Sequence, residues 1–348
     1  MKIIFFLINL IFVNSFNNWF DLPRSLKITA RNWFINNAEK KGVEWNKYKK
    51  QYKDNQDNLY LIEDLTSNKY MFYPEYYKKP FHGYNKGNLD WNAAFEGVGA
   101  TLSMSSNYWI NINPKESHSW LRGNYTQNIK NYYNNFNKSY NSLDILDLGC
   151  SVGIGTESLY KKIPKSRLIG LDLSPFFIAV AKFRASNQNL PIEYIHSNAE
   201  YLPFEKEKFN LICAQFLFHE VPKNTSLKIL KESYRVLKND SVIAIIDLDP
   251  SNLIDNPILK FFRKFLFEIT EPHIKEYYKT NMTQLLIDSG FNNVTKISNN
   301  DPFNSVWLGY KPNNKLSKYI QHKILEEDIK NNLYKSENNP DIDYYIDI

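Results

Sequence analysis

The chain has 348 residues, 43% of them hydrophobic, which is enough for a sizeable core in one large domain or two small ones. Its formal charge of +6 is unevenly distributed, because residues 16–53 carry nine Lys or Arg against three acids. A protein that grips nucleic acid is expected to carry its basic surface on the folded domain, so this distribution argues against a nucleic-acid partner.

Residues 1–15 resemble a secretory signal peptide, with Lys2 before an apolar run that is too short for a bilayer span of roughly 20 residues. A signal followed by the basic residues 16–53 is similar to the bipartite leader of secondary-plastid proteins. The sequence therefore predicts entry into the secretory pathway and transport to a secondary plastid, with the endoplasmic reticulum or secretion as the alternative.

Residues 16–53 also permit a second interpretation, as the start of an N-terminal helical region. One helical face would carry the apolar residues Leu26, Ala30, Trp33, Phe34 and Ala38. Gly42 is placed as a C-terminal stop, in which case the folded protein begins near Pro23.

Residues 54–142 form a region rich in tyrosine, tryptophan and asparagine, with apolar clusters at 70–77, 91–95 and 108–112. We expect these aromatic side chains to be core rather than ligand contacts, because Tyr and Trp bury large areas. A polar link at 131–142 separates this region from the next.

Residues 144–156 read DILDLGCSVGIGT, in which an apolar strand runs into an acid and a glycine turn. Ile145, Leu146 and Leu148 suit a strand that is buried on both faces of a parallel sheet. Glycine lets the next backbone pass close to a ligand, and the N–H groups of the helix that Thr156 and Glu157 open face the same point. The pattern predicts a strand that ends beneath a nucleotide-like cofactor.

The spacing in this segment distinguishes between cofactors. A dinucleotide fold requires G-x-G-x-x-G, but Ser158 stands where the third glycine after Gly153 and Gly155 should fall. The pattern present is acid-x-Gly-x-small-x-Gly, formed by Asp147, Gly149, Ser151 and Gly153. It resembles motif I of the class I S-adenosylmethionine (SAM) methyltransferases, in which the acid helps to hold the methionine end. Ser151 replaces the glycine that is most frequent in that family.

Two further strands carry acids or amides at their carboxyl ends. The strand at 168–171 ends in Asp172, 23 positions after Gly149, where an acid reaches the ribose hydroxyls, and Leu173 follows. After the strand at 192–198, Asn198, Ala199 and Glu200 precede Leu-Pro-Phe at 202–204. This run resembles the family's adenine-edge motif, with Asn198 in place of the usual acid.

The alternation of strands and helices continues to residue 312. A fourth strand at 209–214 ends before Gln215, which we also expect at the cofactor; a fifth lies at 242–247, and two closing strands lie at 292–297 and 305–310. The predicted fold is α/β: a doubly wound, seven-stranded, Rossmann-like methyltransferase sheet over 143–312 with a closing antiparallel hairpin, a helical and aromatic N-terminal region, and a polar tail at 313–348.

The motifs around Gly149, Asp172 and His219 resemble the UbiE-type enzymes, which are quinone C-methyltransferases, and are most similar to an uncharacterised branch in plants and photosynthetic bacteria. The resemblance implies SAM as cofactor and a small, apolar, quinone- or lipid-like acceptor, which would permit membrane contact through the acceptor. Two alternatives remain: a catalytically silent methyltransferase-like binding protein, and an enzyme that acts on RNA or protein. The insertion at 250–280 is placed like the lid that covers the substrate in related enzymes.

His219, just after the fourth strand, is the candidate base, because an imidazole of ordinary pKa near ~6.5 takes up protons at neutral pH. The alternative is that His219 only caps the next helical turn. Glu220 orients His219 or faces solvent, and His273 and His82 are weaker candidates. The histidine spacing predicts no metal site, and Cys150 and Cys213 are expected to be free buried thiols.

Overall fold

The computed structural model describes residues 24–109, 111–136, 138–163, 165–249, 251, 270–301 and 303–313. The predicted signal peptide, most of the insertion at 250–280 and the polar tail lie outside these residues. Among the described residues, no helix combines the length and apolar character that a membrane crossing requires.

Seven strands form one sheet: β1 (Asp144–Leu148), β2 (Arg167–Asp172), β3 (Glu193–His196), β4 (Phe209–Gln215), β5 (Leu237–Leu248), β6 (Asn292–Ser298) and β7 (Asn304–Lys311). Their order is β3-β2-β1-β4-β5-β7-β6. The pairs from β3 to β5 are parallel, and β7 runs antiparallel to both β5 and β6. The predicted doubly wound sheet and its closing hairpin are confirmed. The strand order reverses at β1 and β4, where such sheets bind ligands.

Within the described ranges, five helices precede the sheet: α1 (Arg24–Lys40), α2 (Trp45–Asp54), α3 (Gln56–Thr66), α4 (Trp91–Ser105) and α5 (Pro114–Asn134). The described helices that follow β1 are α6 (Ile154–Lys162), α7 (Pro175–Asn187), α8 (Lys223–Val236), α9 (Ile274–Tyr277) and α10 (Met282–Asp288), with a 3₁₀ turn at Phe218–Glu220.

Alternate residues of the central strands face opposite layers of helices. Ile145 packs with Tyr125 of α5 and Leu159 of α6 in one core, whereas Leu146 packs with Ile229 of α8 in the other. Period-two alternation in strands places successive side chains on opposite faces, which explains why both Ile145 and Leu146 of β1 are apolar and buried.

The N-terminal helices pack on the sheet domain and form part of the fold. As predicted, α1 stops at Gly42, whose φ of +89° lets Val43 N donate to Ala38 O at 3.0 Å. Trp45 is buried against α4, and a core joins these helices to Phe177 of α7.

β5 is longer than the sequence predicts. Its first residue, Leu237, pairs with Phe209, whereas the sequence predicts a start at residue 242. The acid Asp247 lies near its carboxyl end, at the same edge of the sheet as Asp147 and Asp172.

Candidate active site

A cavity of about 700 Å³ opens at the carboxyl ends of the parallel strands, within the usual size range of small-molecule sites. Its walls come from the strand ends, from α1, α2 and α4, and from residues 76–84 and 270–271. Eight of the ten predicted cofactor residues line it: Asp147, Gly149, Ser151, Asp172, Leu173, Asn198, Ala199 and Gln215.

The structure places the other two predicted cofactor residues elsewhere. The carboxylate of Glu200 accepts a hydrogen bond from Tyr76 Oη at 2.8 Å and pairs with Lys228 Nζ at 3.2 Å, away from the cavity lining. Gly153 is the N-cap of α6, where an added Cβ would lie 2.6 Å from Tyr194 Oη. Gly153 therefore serves helix packing, and Glu200 ties the turn after β3 to its neighbours.

Asp147 is buried at the floor of the cavity and joined to a polar chain. Its carboxylate accepts from Thr156 Oγ1 at 2.6 Å and from Gln215 Nε2 at 3.0 Å, and Gln215 Oε1 in turn accepts from Arg122 Nη1 at 2.7 Å. Burial raises the pKa of Asp147, while the hydrogen bonds of Gln215 and Thr156 and the charge of Arg122 oppose the shift. The chain holds the amide of Gln215 in one orientation.

The turn after β1 is held against the end of β2. Asp172 accepts from Ser151 N and from Ser174 N, each at 2.8 Å. Burial raises the pKa of Asp172 to about 6, although these backbone donors lower it. Ser151 has a φ of +50°, in the left-handed region that favours glycine, which gives a physical reason for the glycine most frequent there in the resembled family.

These residues fit S-adenosylmethionine by their chemistry. Arg122 Nε is buried without a hydrogen-bond partner in the described part of the chain, and it suits a carboxylate. Asp147 suits an ammonium group and Asp172 suits ribose hydroxyls. A Cβ on Gly149 would lie 2.9 Å from Leu217 Cδ1, so glycine keeps this turn close to the fourth strand end. Sequence reasoning missed Arg122, because a single arginine within a helix carries no local signal.

A cluster of histidines and carboxylates occupies another wall of the cavity. His219 Nδ1 lies 2.6 Å from Asp247 Oδ1, and His82 Nε2 lies 2.8 Å from Glu271 Oε1. Glu220 accepts from Asn88 Nδ2 at 3.2 Å and lies 3.8 Å from His82 Nε2. The structure brings both predicted catalytic residues, His219 and Glu220, to the cavity, and His82 with them.

The charge of His219 differs from the sequence expectation. Burial alone would lower its pKa, but the facing Asp247, with Glu271 and Glu220, raises the pKa of His219 to about 10. With this pKa the ring carries its proton at neutral pH, which favours a role as hydrogen-bond donor over the base that the sequence predicts. Burial raises the pKa of Glu220 to about 7, against the charges of His82 and His219.

Other members of the cluster carried weaker signals in the sequence. Asp247 follows the apolar residues of β5 as Asp147 and Asp172 follow theirs, so the same strand-end pattern could have identified it. The imidazole of His273 packs against the ring of Tyr76, outside the cavity lining.

Across the described ranges, no group of three His, Cys, Asp or Glu side chains is arranged to hold a metal ion. Cys150 and Cys213 are free and buried.

Comparison with known proteins finds similarity to methyltransferases. The family model described as a methyltransferase domain matches residues 145–240. An uncharacterized methyltransferase of Synechocystis is 32% identical over 154 residues, which cover 44% of this chain and 68% of the relative. The demethylmenaquinone methyltransferase of Lactococcus lactis is 32% identical over 145 residues, which cover 39% of this chain but only 56% of that relative's length.

Among solved structures, phosphoethanolamine N-methyltransferase 2 of Haemonchus contortus, in complex with S-adenosyl-L-methionine, aligns with a TM-score of 0.42 and 15% identity. The alignment covers 54% of this chain and 53% of that one.

Proposed function

Because the chain belongs to the class I SAM-dependent methyltransferases of the UbiE-like type, we propose that it methylates a small, apolar, quinone-like acceptor. The proposal rests on a single cavity whose lining combines two groups of residues. The predicted cofactor residues lie at the strand ends, and the His219 cluster faces the same space together with apolar side chains such as Leu217 and Ile229.

The Lactococcus relative bears the name of demethylmenaquinone, which suggests a naphthoquinone as the acceptor here. A quinone is electron-poor, so the nucleophile would be its reduced, dihydroxy form. Such an acceptor is flat and apolar with hydroxyl groups at its edge. A mostly apolar cavity with a small number of polar groups is the usual kind of site for such a molecule.

Bound SAM supplies an electrophilic methyl group on a sulfonium. The residues of this chain align the acceptor with it and exclude water, which is what an in-line displacement requires. His219, which is protonated at neutral pH, donates a hydrogen bond toward the acceptor, and the carboxylates of Glu220 and Glu271 are the candidate proton acceptors.

Calorimetry with SAM tests the cofactor site. We expect Asp172→Ala to weaken SAM binding by roughly tenfold or more, because a buried charged acceptor is lost. Asp57→Ala, at an exposed acid of α3, is the matched control and should bind as the wild type does. Wild-type protein that does not bind SAM would instead be a silent methyltransferase-like binding protein.

The acceptor class is tested by incubating the protein with methyl-labelled SAM and fractionated cell extract, and separately with reduced demethylmenaquinone. We expect label in the organic-soluble fraction and on the naphthoquinol. Label that enters RNA or protein would contradict an apolar acceptor.

A further inference from the structure

Glu271 has one carboxylate oxygen with a partner and one without. The residue is 4% exposed and lines the cavity, and its Oε1 lies 2.8 Å from His82 Nε2. Its Oε2 is buried and has no hydrogen-bond partner among the described residues. A buried carboxylate oxygen that is left unsatisfied is costly, so its presence in a cavity wall points to a ligand.

The free oxygen of Glu271 faces a ring nitrogen of His219. The distance from Glu271 Oε2 to His219 Nε2 is 3.9 Å, too long for a direct hydrogen bond. The other nitrogen of that ring, Nδ1, is held by Asp247 at 2.6 Å. Since the ring is protonated, Nε2 carries a hydrogen and can donate. A single oxygen atom of a ligand can lie within hydrogen-bond distance of both groups.

We propose that the space between His219 Nε2 and Glu271 Oε2 is the oxygen subsite for the methyl acceptor. The acceptor's hydroxyl donates to Glu271 Oε2 and accepts from His219 Nε2. This inference rests on the proposed function and narrows the acceptor to compounds with an ionisable hydroxyl on a flat apolar frame, such as a phenol, a hydroquinone or an enol.

The proton balance at this subsite is simple. A bond forms between the acceptor's nucleophilic atom and the methyl carbon, while the methyl–sulfur bond breaks and leaves its electron pair on sulfur, so the acceptor must lose one proton to keep its charge. The O–H bond breaks, its electron pair stays on the oxygen, and the proton passes to Glu271 Oε2. The hydroxyl becomes more acidic as the methyl group is transferred, so proton loss that accompanies the transfer needs no base stronger than a carboxylate. His219 keeps its own proton and stabilises the electron density that the breaking O–H bond leaves on the oxygen. Where a ring carbon is the nucleophile, the step leaves a ketone, and loss of the proton on that carbon with return of a proton to the oxygen restores the hydroxyl.

The surroundings favour Glu271 over Glu220 as the proton acceptor. Glu271 is ionised at neutral pH, because the nearby His82 and His219 outweigh the effect of burial and lower its pKa. Burial raises the pKa of Glu220 to about 7, and one of its oxygens already accepts from Asn88. The charged and titratable groups that face His219 are Asp247 from β5, Glu271, Glu220, His82 and Tyr277 of α9.

His82 is a positioning residue for this subsite. Its backbone N donates to Thr270 O at 3.2 Å, and its ring holds Oε1 of Glu271. These two contacts fix the carboxylate with Oε2 toward His219.

The test uses the full-length protein in the presence of S-adenosylhomocysteine, so that the cofactor end is filled and no turnover occurs. The probe is 4-nitro-1-naphthol, whose neutral and ionised forms absorb at different wavelengths, and its matched partner is 1-nitronaphthalene, which lacks the hydroxyl. Affinity for each is measured by titration in wild type, Glu271→Gln, His219→Gln and Glu276→Gln, at a mildly acidic pH below the pKa of the nitro-activated naphthol, so that its hydroxyl keeps its proton while Glu271, whose pKa is lowered, stays ionised. Glu276, an exposed acid five residues after Glu271, serves as the control.

We expect Glu271→Gln and His219→Gln to bind the naphthol at least roughly tenfold more weakly than wild type does, while 1-nitronaphthalene binds all four proteins equally. Glu276→Gln should behave as wild type toward both probes. The inference is overturned if wild type does not bind the naphthol more tightly than 1-nitronaphthalene, or if the variants weaken both probes equally. SAM affinity is measured in parallel. A wild-type protein that does not bind SAM would contradict the proposed methyl transfer, whereas the preference for the naphthol over 1-nitronaphthalene tests the hydroxyl subsite by itself.

Discussion

The imidazole of His219 lies between carboxylates on both of its nitrogens, with Asp247 at 2.6 Å and Glu271 at 3.9 Å. Removing an ordinary histidine from water favours its neutral form, and here the nearby negative charges reverse that preference. The positive charge on His219 therefore depends on the folded structure, and the folded protein binds this proton more tightly than the unfolded chain does.

The raised pKa predicts how stability depends on pH. The folded pKa of His219 is about 10 against 6.5 for the free group, so its stabilising contribution is complete below pH 6.5 and is lost as pH rises toward 10. We expect the free energy of unfolding to fall by on the order of a few kcal/mol across that range, as measured by urea denaturation. His219→Gln should flatten the slope, and His82, whose pKa is raised by the neighbouring Glu271, contributes in the same direction. An unchanged slope in His219→Gln would contradict this account.

At the scale of elements, β1 and α6 are joined through a glycine that has no room for a side chain. Gly153 has a φ of +85°, and an added Cβ would lie 2.6 Å from Tyr194 Oη and 3.1 Å from Ala181 Cβ. Tyr194 is buried in β3, so the sheet and two helices meet at this point.

We expect Gly153→Ala to destabilise the protein by roughly 2–3 kcal/mol, because both the backbone conformation and the contact with Tyr194 are unfavourable. Gly123→Ala is the matched control: in α5 an added Cβ meets only the flexible end of the Lys162 side chain, with Nζ nearest at 3.4 Å. That helical alanine should be neutral or stabilising by about 0.5–1 kcal/mol. Thermal unfolding of both variants gives the comparison, and equal effects would show that the close packing at Gly153 carries no cost.

The strand ends were predictable from the sequence because each is a local pattern, an apolar run that stops at an acid or amide. Asp147, Asp172 and Gln215 all reach the cavity in this way. Glu200 follows the same pattern, yet its partners Tyr76 and Lys228 come from distant segments that no spacing reveals. The pKa of His219 was unpredictable for the same reason, since Asp247 and Glu271 reach it only through the tertiary fold.

At the scale of the whole molecule, buried polar contacts attach the N-terminal helices to the rest of the chain. Glu96 of α4, whose side chain is fully buried, pairs with Arg31 of α1 and Lys49 of α2 and accepts from Tyr84 Oη at 2.6 Å. Arg184 of α7 donates to Tyr52 Oη at 3.0 Å. Residues 24–54 are therefore held by ion pairs and hydrogen bonds as well as by apolar packing.

Trp45 supplies apolar packing between the N-terminal helices. Its ring lies so close to Gly99 that a Cβ added at Gly99 would be 2.8 Å from Trp45 Cδ2. We expect Trp45→Ala to lower the free energy of unfolding by about 3–5 kcal/mol through the cavity that it leaves. Trp120→Ala, at a residue that is 42% exposed, should cost less than about 1 kcal/mol. Urea titration followed by circular dichroism compares the two. A small effect at Trp45 would mean that the N-terminal helices add little to the stability of the sheet domain.

The cavity is lined by segments that lie far apart in the chain. The strand ends between Asp147 and Gln215 supply most of the predicted cofactor residues, whereas His82 and Glu271 of the acceptor subsite lie outside that stretch of sequence. Substitutions at His82 or Glu271 can therefore change the acceptor subsite without replacing a strand-end residue of the cofactor site. In evolutionary terms, we expect the acceptor to change more readily than the cofactor.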